Sequence, residues 1–377
     1  MHHFQNINEK IRFDADSPEI YGFEKQHRQP RENARGLYSS SGVRITGRLF
    51  PDVQAALNKA ESKLNLPNPI EGYVLPDTAA QAGCITISED FEFLVTLSSG
   101  LIELLTAEEL CFVVGHEVGH FLFQHSSYPL QDEAQNEHEH LNRLQLSRAS
   151  EISVDRTGFL CVDSLEIAGK AILKSASGLS DRHIRFDIND YLSQLRDPKS
   201  AAGSSHEIYS THPKFALRLK ALVLFSMSQP YYDWIKRKEQ APLTREKLDQ
   251  RIKKELSESS GNALETLRDS TLVNALIWAI ASLVVADKLL TKDEQSMLNR
   301  HIGEKNADKL INFIKSSGEE LMSEIEKRLQ DALESAKGLP MNLQKKLLEK
   351  IKDAAEECSG EAEMIRQQVQ YLKSCLL

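Results

Sequence analysis

The run Cys111–Phe123, CFVVGHEVGHFLF, constrains this chain more than any other segment: it is apolar on most faces yet carries two histidines and a glutamate. Such a run reads as a buried helix, and ionisable groups there are costly unless paired or bound to a metal. His116 and His120 stand four residues apart, so about 40° of rotation and about 6 Å of rise separate them along one helix face. Two imidazoles so placed can hold one zinc ion. Glu117 lies about 100° from His116 and about 60° from His120, so its carboxylate reaches beside that ion rather than onto it. A general base for an attacking water belongs in that position. The plain alternative, two solvated histidines on a surface helix, conflicts with the apolar flanks.

Catalytic zinc needs a third protein ligand and an open position. A histidine ten residues after His116, with a glycine between, is one known solution, but positions 123 and 126 are Phe and Ser. His125 is nine residues on, about 180° around the helix, and is expected to face away as a core or surface histidine. Glu151, in SRASEISVDRTGF, is the better candidate. Asp155 follows one turn later on the same face of a second helix, where a carboxylate can orient a ligand histidine. Ile152, Val154, Phe159 and Leu160 weigh against an ordinary solvated pair. His138 and His140, in NEHEHLNRL, read as part of a solvated loop or lid.

Length and pattern place these motifs in a multi-domain chain. The 377 residues suggest two or three domains. Residues 1–45 are polar and aperiodic and read as an N-terminal arm. A domain of mixed pattern follows over 46–228. It has a helix from Pro51, three short strand candidates at 70–75, 83–87 and 92–97, and a helix opened by a Thr106–Glu109 capping box. A second helix is expected over about 141–165. The Pro-broken basic stretch 229–261 reads as a linker, and 262–377 as helix after helix. The expected fold class is α+β, mainly α: a domain with a small sheet, followed by an all-α domain.

Exclusions come from composition. A formal charge of −9, with 46 Lys and Arg against 55 Asp and Glu, argues against nucleic acid as a partner. The five cysteines form no CxxC pair, which argues against a disulfide framework and for a reducing, cytoplasmic setting. Thr271–Ala286 is uncharged but spans only 16 residues where a membrane span needs about 20. A buried core helix is expected there, with no integral membrane span.

In order, HEVGHFLFQHS, EISVDRTG and STHPKFALRL resemble the HtpX/BepA type of zinc metallopeptidase, a gluzincin group that includes the CAAX prenyl proteases. The resemblance covers roughly residues 45–225. It implies one zinc ion per chain on His116, His120 and Glu151, with Glu117 catalytic and Asp155 behind the ligands. It further implies that His212 faces the site and helps hold the oxyanion, and that Arg218 orients carboxylates. Val154 stands where the family usually has Ala, and the transmembrane helices of HtpX have no counterpart. The segment ALIWAIASLVVAD with KLLTKDEQSML resembles TerB-like helical modules, although Asp287-Lys288 replaces their usual Asp-Gly.

The expected function is therefore a zinc endopeptidase acting on protein or peptide substrates. Substrate is expected to add as a strand to the sheet along 83–87 or 92–97. Control is expected from the N-terminal arm or from a partner or ligand at the helical domain. The alternative is a zinc-binding scaffold without turnover, in which Glu117 would have no use.

Overall fold

The computed structural model describes residues 2–26, 31–87, 92–130, 133–134, 137–196, 210–259, 263–285, 291–358 and 361–376. They fall into two compact units: Met1–Leu130 with Leu144–Gly261, and Gln131–Arg143 with Asn262–Leu377.

The first unit opens with helices α1 (His2–Ile11) and α2 (Ala34–Ser41), strand β1 (Val43–Arg44) and helix α3 (Pro51–Leu64). Next come β2 (Glu71–Leu75), β3 (Ala82–Thr86), β4 (Phe93–Ser98) and the short α4 (Ser99–Leu104). Among the described residues the strands form one sheet in the order β1-β2-β4-β3. β2 runs parallel to β4, while β1 and β3 pair antiparallel with their neighbours. The three strand candidates are therefore present within a residue or so of their predicted bounds. Every residue of β4 is buried and every residue of β3 only half so, which makes β4 an inner strand and β3 the edge. The expectation that 92–97 offers an edge to substrate is thereby corrected: both sides of β4 are already hydrogen-bonded.

Helix α5 (Ala107–Leu122) carries the histidines, and α6 (Glu137–Val162) carries Glu151 and Asp155. The capping box starts α5 as expected: the Thr106 N–H donates to Glu109 Oε2 at 2.8 Å, and the Glu109 N–H donates to Thr106 Oγ1 at 3.3 Å. Glu109 also accepts from the fully buried Lys174 of α7 (Leu165–Ser177) at 2.8 Å, which pins the start of the helix. Close approach of α5 to α6 depends on glycine. A Cβ on Gly115 would run into the Cys161 thiol and lie 3.1 Å from the Cα of Gly158.

Within residues 1–45, the described residues 2–17 pack into this unit. Ile7 and Ile11 are fully buried and Phe13 is 1% exposed, each worth about 2 kcal/mol of burial. Arg156 of α6 donates to the Ile11 carbonyl at 3.0 Å and to Asp249 at 2.6 Å, with Phe13 and Phe225 on either side of its guanidinium.

The unit continues through α8 (Ile188–Ser193), α9 (Phe215–Ser226), α10 (Gln229–Trp234) and α11 (Arg245–Ser259). The last two occupy the stretch read as a linker. Ala241, Leu248 and Ile252 lie in the same core as α5, so this segment is a structural part of the first unit. Its apolar positions are sparse, and the surrounding charge hid them.

The second unit contains α12 (Ala263–Val284), α13 (Lys292–Ile302), α14 (Glu304–Ser316), α15 (Leu321–Lys337), α16 (Met341–Glu356) and α17 (Ala362–Leu376). The apolar run on α12 is core: Ala275, Ala279, Ile280 and Ala281 are fully buried against leucines of α15 and α16. No helix among the described residues is long and apolar enough to cross a membrane. Asp287 and Lys288, at the turn compared with TerB-like modules, lie outside the described residues. The chain as a whole is α+β and mainly helical, as the pattern predicted.

Candidate metal centre

One face of α5 meets one face of α6 at His116, His120 and Glu151, whose donor atoms all lie within 4.8 Å of one another. His116 Nε2 is 3.7 Å from Glu151 Oε2, and His120 Nε2 is 3.6 Å from Glu151 Oε1. Two ligands each about 2.05 Å from a tetrahedral zinc stand about 3.4 Å apart, so this spacing fits one ion with little movement. The imidazole planes meet at 74°, so the two Nε2 lone pairs converge from different directions. The donor set, two imidazoles and one carboxylate, suits zinc and leaves a fourth position open.

Both rings are fixed from behind. The Nδ1–H of His116 donates to Asp155 Oδ1 at 3.0 Å, leaving Nε2 free to bind metal. Asp155 is in turn gripped by Arg218 of α9 through a fork, Nε to Oδ2 at 2.7 Å and Nη2 to Oδ1 at 2.6 Å. Burial alone would raise the Asp155 carboxyl, but the charge and hydrogen bonds of Arg218 outweigh it and hold it down at about 2. Arg218 Nη2 also stands 3.6 Å from Glu151 Oε2. The structure thus brings together Glu151, Asp155 and Arg218.

Electrostatics separate the two histidines. Burial pushes His120 well down, and the neighbouring His125 and His116 push it further, which favours the neutral imidazole a metal requires. Burial also lowers His116, but the Asp155 hydrogen bond and the Glu151 charge overcome this and raise it. Glu117 sits beside the donors, half-buried. Burial raises its carboxyl, Glu151 adds to the rise, and His116 and Arg218 oppose it. A carboxylate lifted toward neutrality is suited to accept and return a proton. The edge strand passes close by: burial and then the charge of Glu117 push the Cys84 thiol of β3 well up.

His212 projects from the turn before α9, with Nε2 3.6 Å from Glu151 Oε1, and its side chain is 53% exposed. The turn is tied down by buried Arg148, which donates to the Ser210 carbonyl at 2.8 Å, and by Ser210 Oγ donating to the His212 carbonyl at 2.8 Å. The side chain of His138 lies outside the described residues.

His125 is the residue that sequence reasoning missed. Helical periodicity turned it away from the site, but α5 ends at Leu122 and Gln124 is left-handed at φ 59°. That reversal brings His125 Nδ1 to 2.8 Å from His120 Nδ1, with its Nε2 2.9 Å from Asp16 Oδ2. Asp16, fully enclosed, accepts further from the Tyr128 hydroxyl at 2.8 Å and Ser150 Oγ at 3.0 Å. Burial raises its carboxyl, and His125, Arg12 and a serine hydroxyl bring it well below the ordinary carboxylate range. The only sequence signal was the polar HSS that follows the apolar run.

Comparison with known proteins agrees with the motif resemblance. Residues 48–136, which include His116, Glu117 and His120 but stop short of Glu151, match the family model of Peptidase family M48. A curated relative, "Plastoglobule-localized metallopeptidase 48, chloroplastic" of Arabidopsis thaliana, is 26% identical over 221 residues. That match covers 52% of this chain and 63% of the relative, so the chain spans somewhat under two thirds of the relative's length.

Proposed function

We propose that this protein is a zinc-dependent endopeptidase holding one ion on His116, His120 and Glu151. The observation that carries the reading is the convergence of two Nε2 atoms and one carboxylate, each ring backed at Nδ1, and the charge coupling of Glu117 to His116 and Glu151 supports it. The family match over 48–136 and the metallopeptidase named as a relative support it. Zinc bound there would supply Lewis acidity, polarising a scissile carbonyl and lowering the pKa of a bound water to about 7.

The remaining steps fall to the chain's own residues. Glu117 takes a proton from the attacking water and delivers it to the leaving amine. Asp155, held by Arg218, keeps the His116 ring in the tautomer that presents Nε2. His212, exposed and anchored by its turn, donates to the oxyanion as the carbonyl becomes tetrahedral. Substrate lies extended along edge strand β3, which passes Glu117 and adds a further strand to the sheet by backbone pairing. Protein or peptide chains in a reducing, cytoplasmic compartment are the proposed substrates, since all five cysteines are free thiols. For control we favour a partner or ligand at the C-terminal helical unit over displacement of residues 1–45, because moving those would expose Ile7, Ile11 and Phe13.

Glu117→Gln tests the assignment. The variant should bind zinc as the wild type does and lose hydrolysis of a generic protein substrate by at least about 10²-fold. Cleavage at the wild-type rate would refute the mechanism. Zinc uptake by wild type without any turnover would return the scaffold reading.

A further inference from the structure

We infer that His125 and Asp16 are positioning residues for the metal ligand His120, so that the N-terminal segment is a working part of the site. The inference rests on the zinc reading above and extends it to residues outside the His116–His120 and Glu151–Asp155 motifs. The two ligand histidines are backed differently. His116 leans on Asp155, which comes from α6. Among the described residues no carboxylate is hydrogen-bonded to His120 Nδ1; it meets His125 Nδ1 at 2.8 Å instead.

Two ring nitrogens at that distance share one proton. With the Nε2 lone pair of His120 aimed at the Glu151 side, its proton must be on Nδ1, so His125 Nδ1 accepts. The His125 proton is then on Nε2, where it donates to Asp16 Oδ2 at 2.9 Å. Tautomers are thus specified along the whole line, from Asp16 through His125 to His120. Asp16 can act as the fixed end because it is itself fully satisfied. Tyr128 and Ser150 donate to Oδ1, and Arg12 Nε approaches Oδ2 at 3.3 Å. Ser150 immediately precedes the ligand Glu151, so the same aspartate anchors both the end of α5 and the ligand turn of α6. The left-handed Gln124 serves this arrangement: a helix continued through His125 would carry it to the opposite side.

The test uses full-length protein. Zinc affinity is measured by competition with a chromogenic chelator for wild type, Asp16→Asn, His125→Ala and the double variant. Thermal unfolding of each metal-free protein is recorded alongside. Outer hydrogen-bond partners of metal-bound histidines typically contribute about 10–100-fold in affinity, and His125→Ala should lose that much. Asp16→Asn should lose affinity too, and the double variant should be no weaker than His125→Ala, because Asp16 acts through His125. A role in folding alone would give losses that add in the double variant and track metal-free stability. Nitrogen-15 histidine spectra of zinc-loaded wild type, which need no variant, should show His120 protonated at Nδ1 and His125 at Nε2. Unchanged affinity in His125→Ala, or a His125 proton on Nδ1, overturns the relay while leaving the zinc reading intact. Zinc binding indifferent to Glu151→Ala removes the zinc reading itself, and the relay with it.

Discussion

Replacing Arg218 by methionine would strip the fork from Asp155 while keeping most of the side-chain volume. Asp155 is fully buried, and its two oxygens take hydrogen bonds of 2.7 and 2.6 Å from that one guanidinium. Removing one partner of a buried pair typically costs about 3–5 kcal/mol, because the remaining charge is left without compensation. Glu151 has Arg218 at 3.6 Å as well, so the upper half of that range is expected. At a urea dependence of about 3 kcal/mol per molar, the unfolding midpoint of the metal-free first unit should fall by more than about 1 M. The chain's two tryptophans, Trp234 and Trp278, lie in different units. A Trp278→Phe background therefore leaves Trp234 as a fluorescence reporter for the unit that holds the site. Arg218→Lys keeps a charge but not the fork, and should lose less than the methionine variant. Adding Asp155→Asn to Arg218→Met should recover most of the loss, since no bare charge then remains. A methionine variant that unfolds within about 0.5 kcal/mol of wild type would refute this account of the pair, as that is the ordinary scatter of surface substitutions.

Three further outcomes follow from the geometry. Gly115→Val should destabilise by more than about 2 kcal/mol and weaken zinc binding, because its side chain must enter the space of Cys161 and Gly158; Gly36→Ala, with nothing within 4 Å of its Cβ, should be tolerated. Asp16, whose carboxyl is lower folded than the ordinary 3.9 or so of an unfolded chain, stabilises above that pH and loses its contribution as pH falls below it. The stability deficit of Asp16→Asn should accordingly be largest near neutrality and shrink below about pH 4; a deficit that grows in acid would contradict the sign. Turnover of a generic peptide by full chain and by residues 1–261 compares the assigned control: higher turnover without the helical unit is expected, and equal rates in folded, zinc-loaded samples would remove that unit from the scheme.

What could be read in advance depended on whether the partners were close in sequence. The α5 helix, its capping box and the 116–120 pair are local, so spacing alone placed them. Glu151 and Asp155 were legible because a carboxylate pair on an apolar helix is costly without a partner, although nothing local named that partner. His125 was misplaced because it lies three residues past the end of α5 at Leu122, where a helical period no longer says which way a side chain faces. No glycine or proline marks the reversal at Gln124. Asp16 could not be found at all: its significance depends on a histidine 109 residues away. The 229–261 stretch was misread for a related reason. Most of its charge is on the solvent side, while a few scattered apolar residues such as Ala241, Leu248 and Ile252 face the core.

The stitching of residues 11–14 into α6 and α11 also has a consequence in time. Protein synthesis delivers Asp14 well before Asp249, yet the Asp14 N–H reaches that aspartate at 3.3 Å across 235 residues, and the same aspartate completes Arg156. At about 5–20 residues per second, a ribosome needs on the order of 10–50 s to cover that interval. Until then the contacts that Ile11 and Asp14 make through Arg156 and Asp249 are incomplete, although His125, Tyr128 and Ser150, which hold Asp16 itself, have all been made by residue 150. The seat of the segment that carries Asp16 is therefore finished late, after most of its own unit has been synthesised.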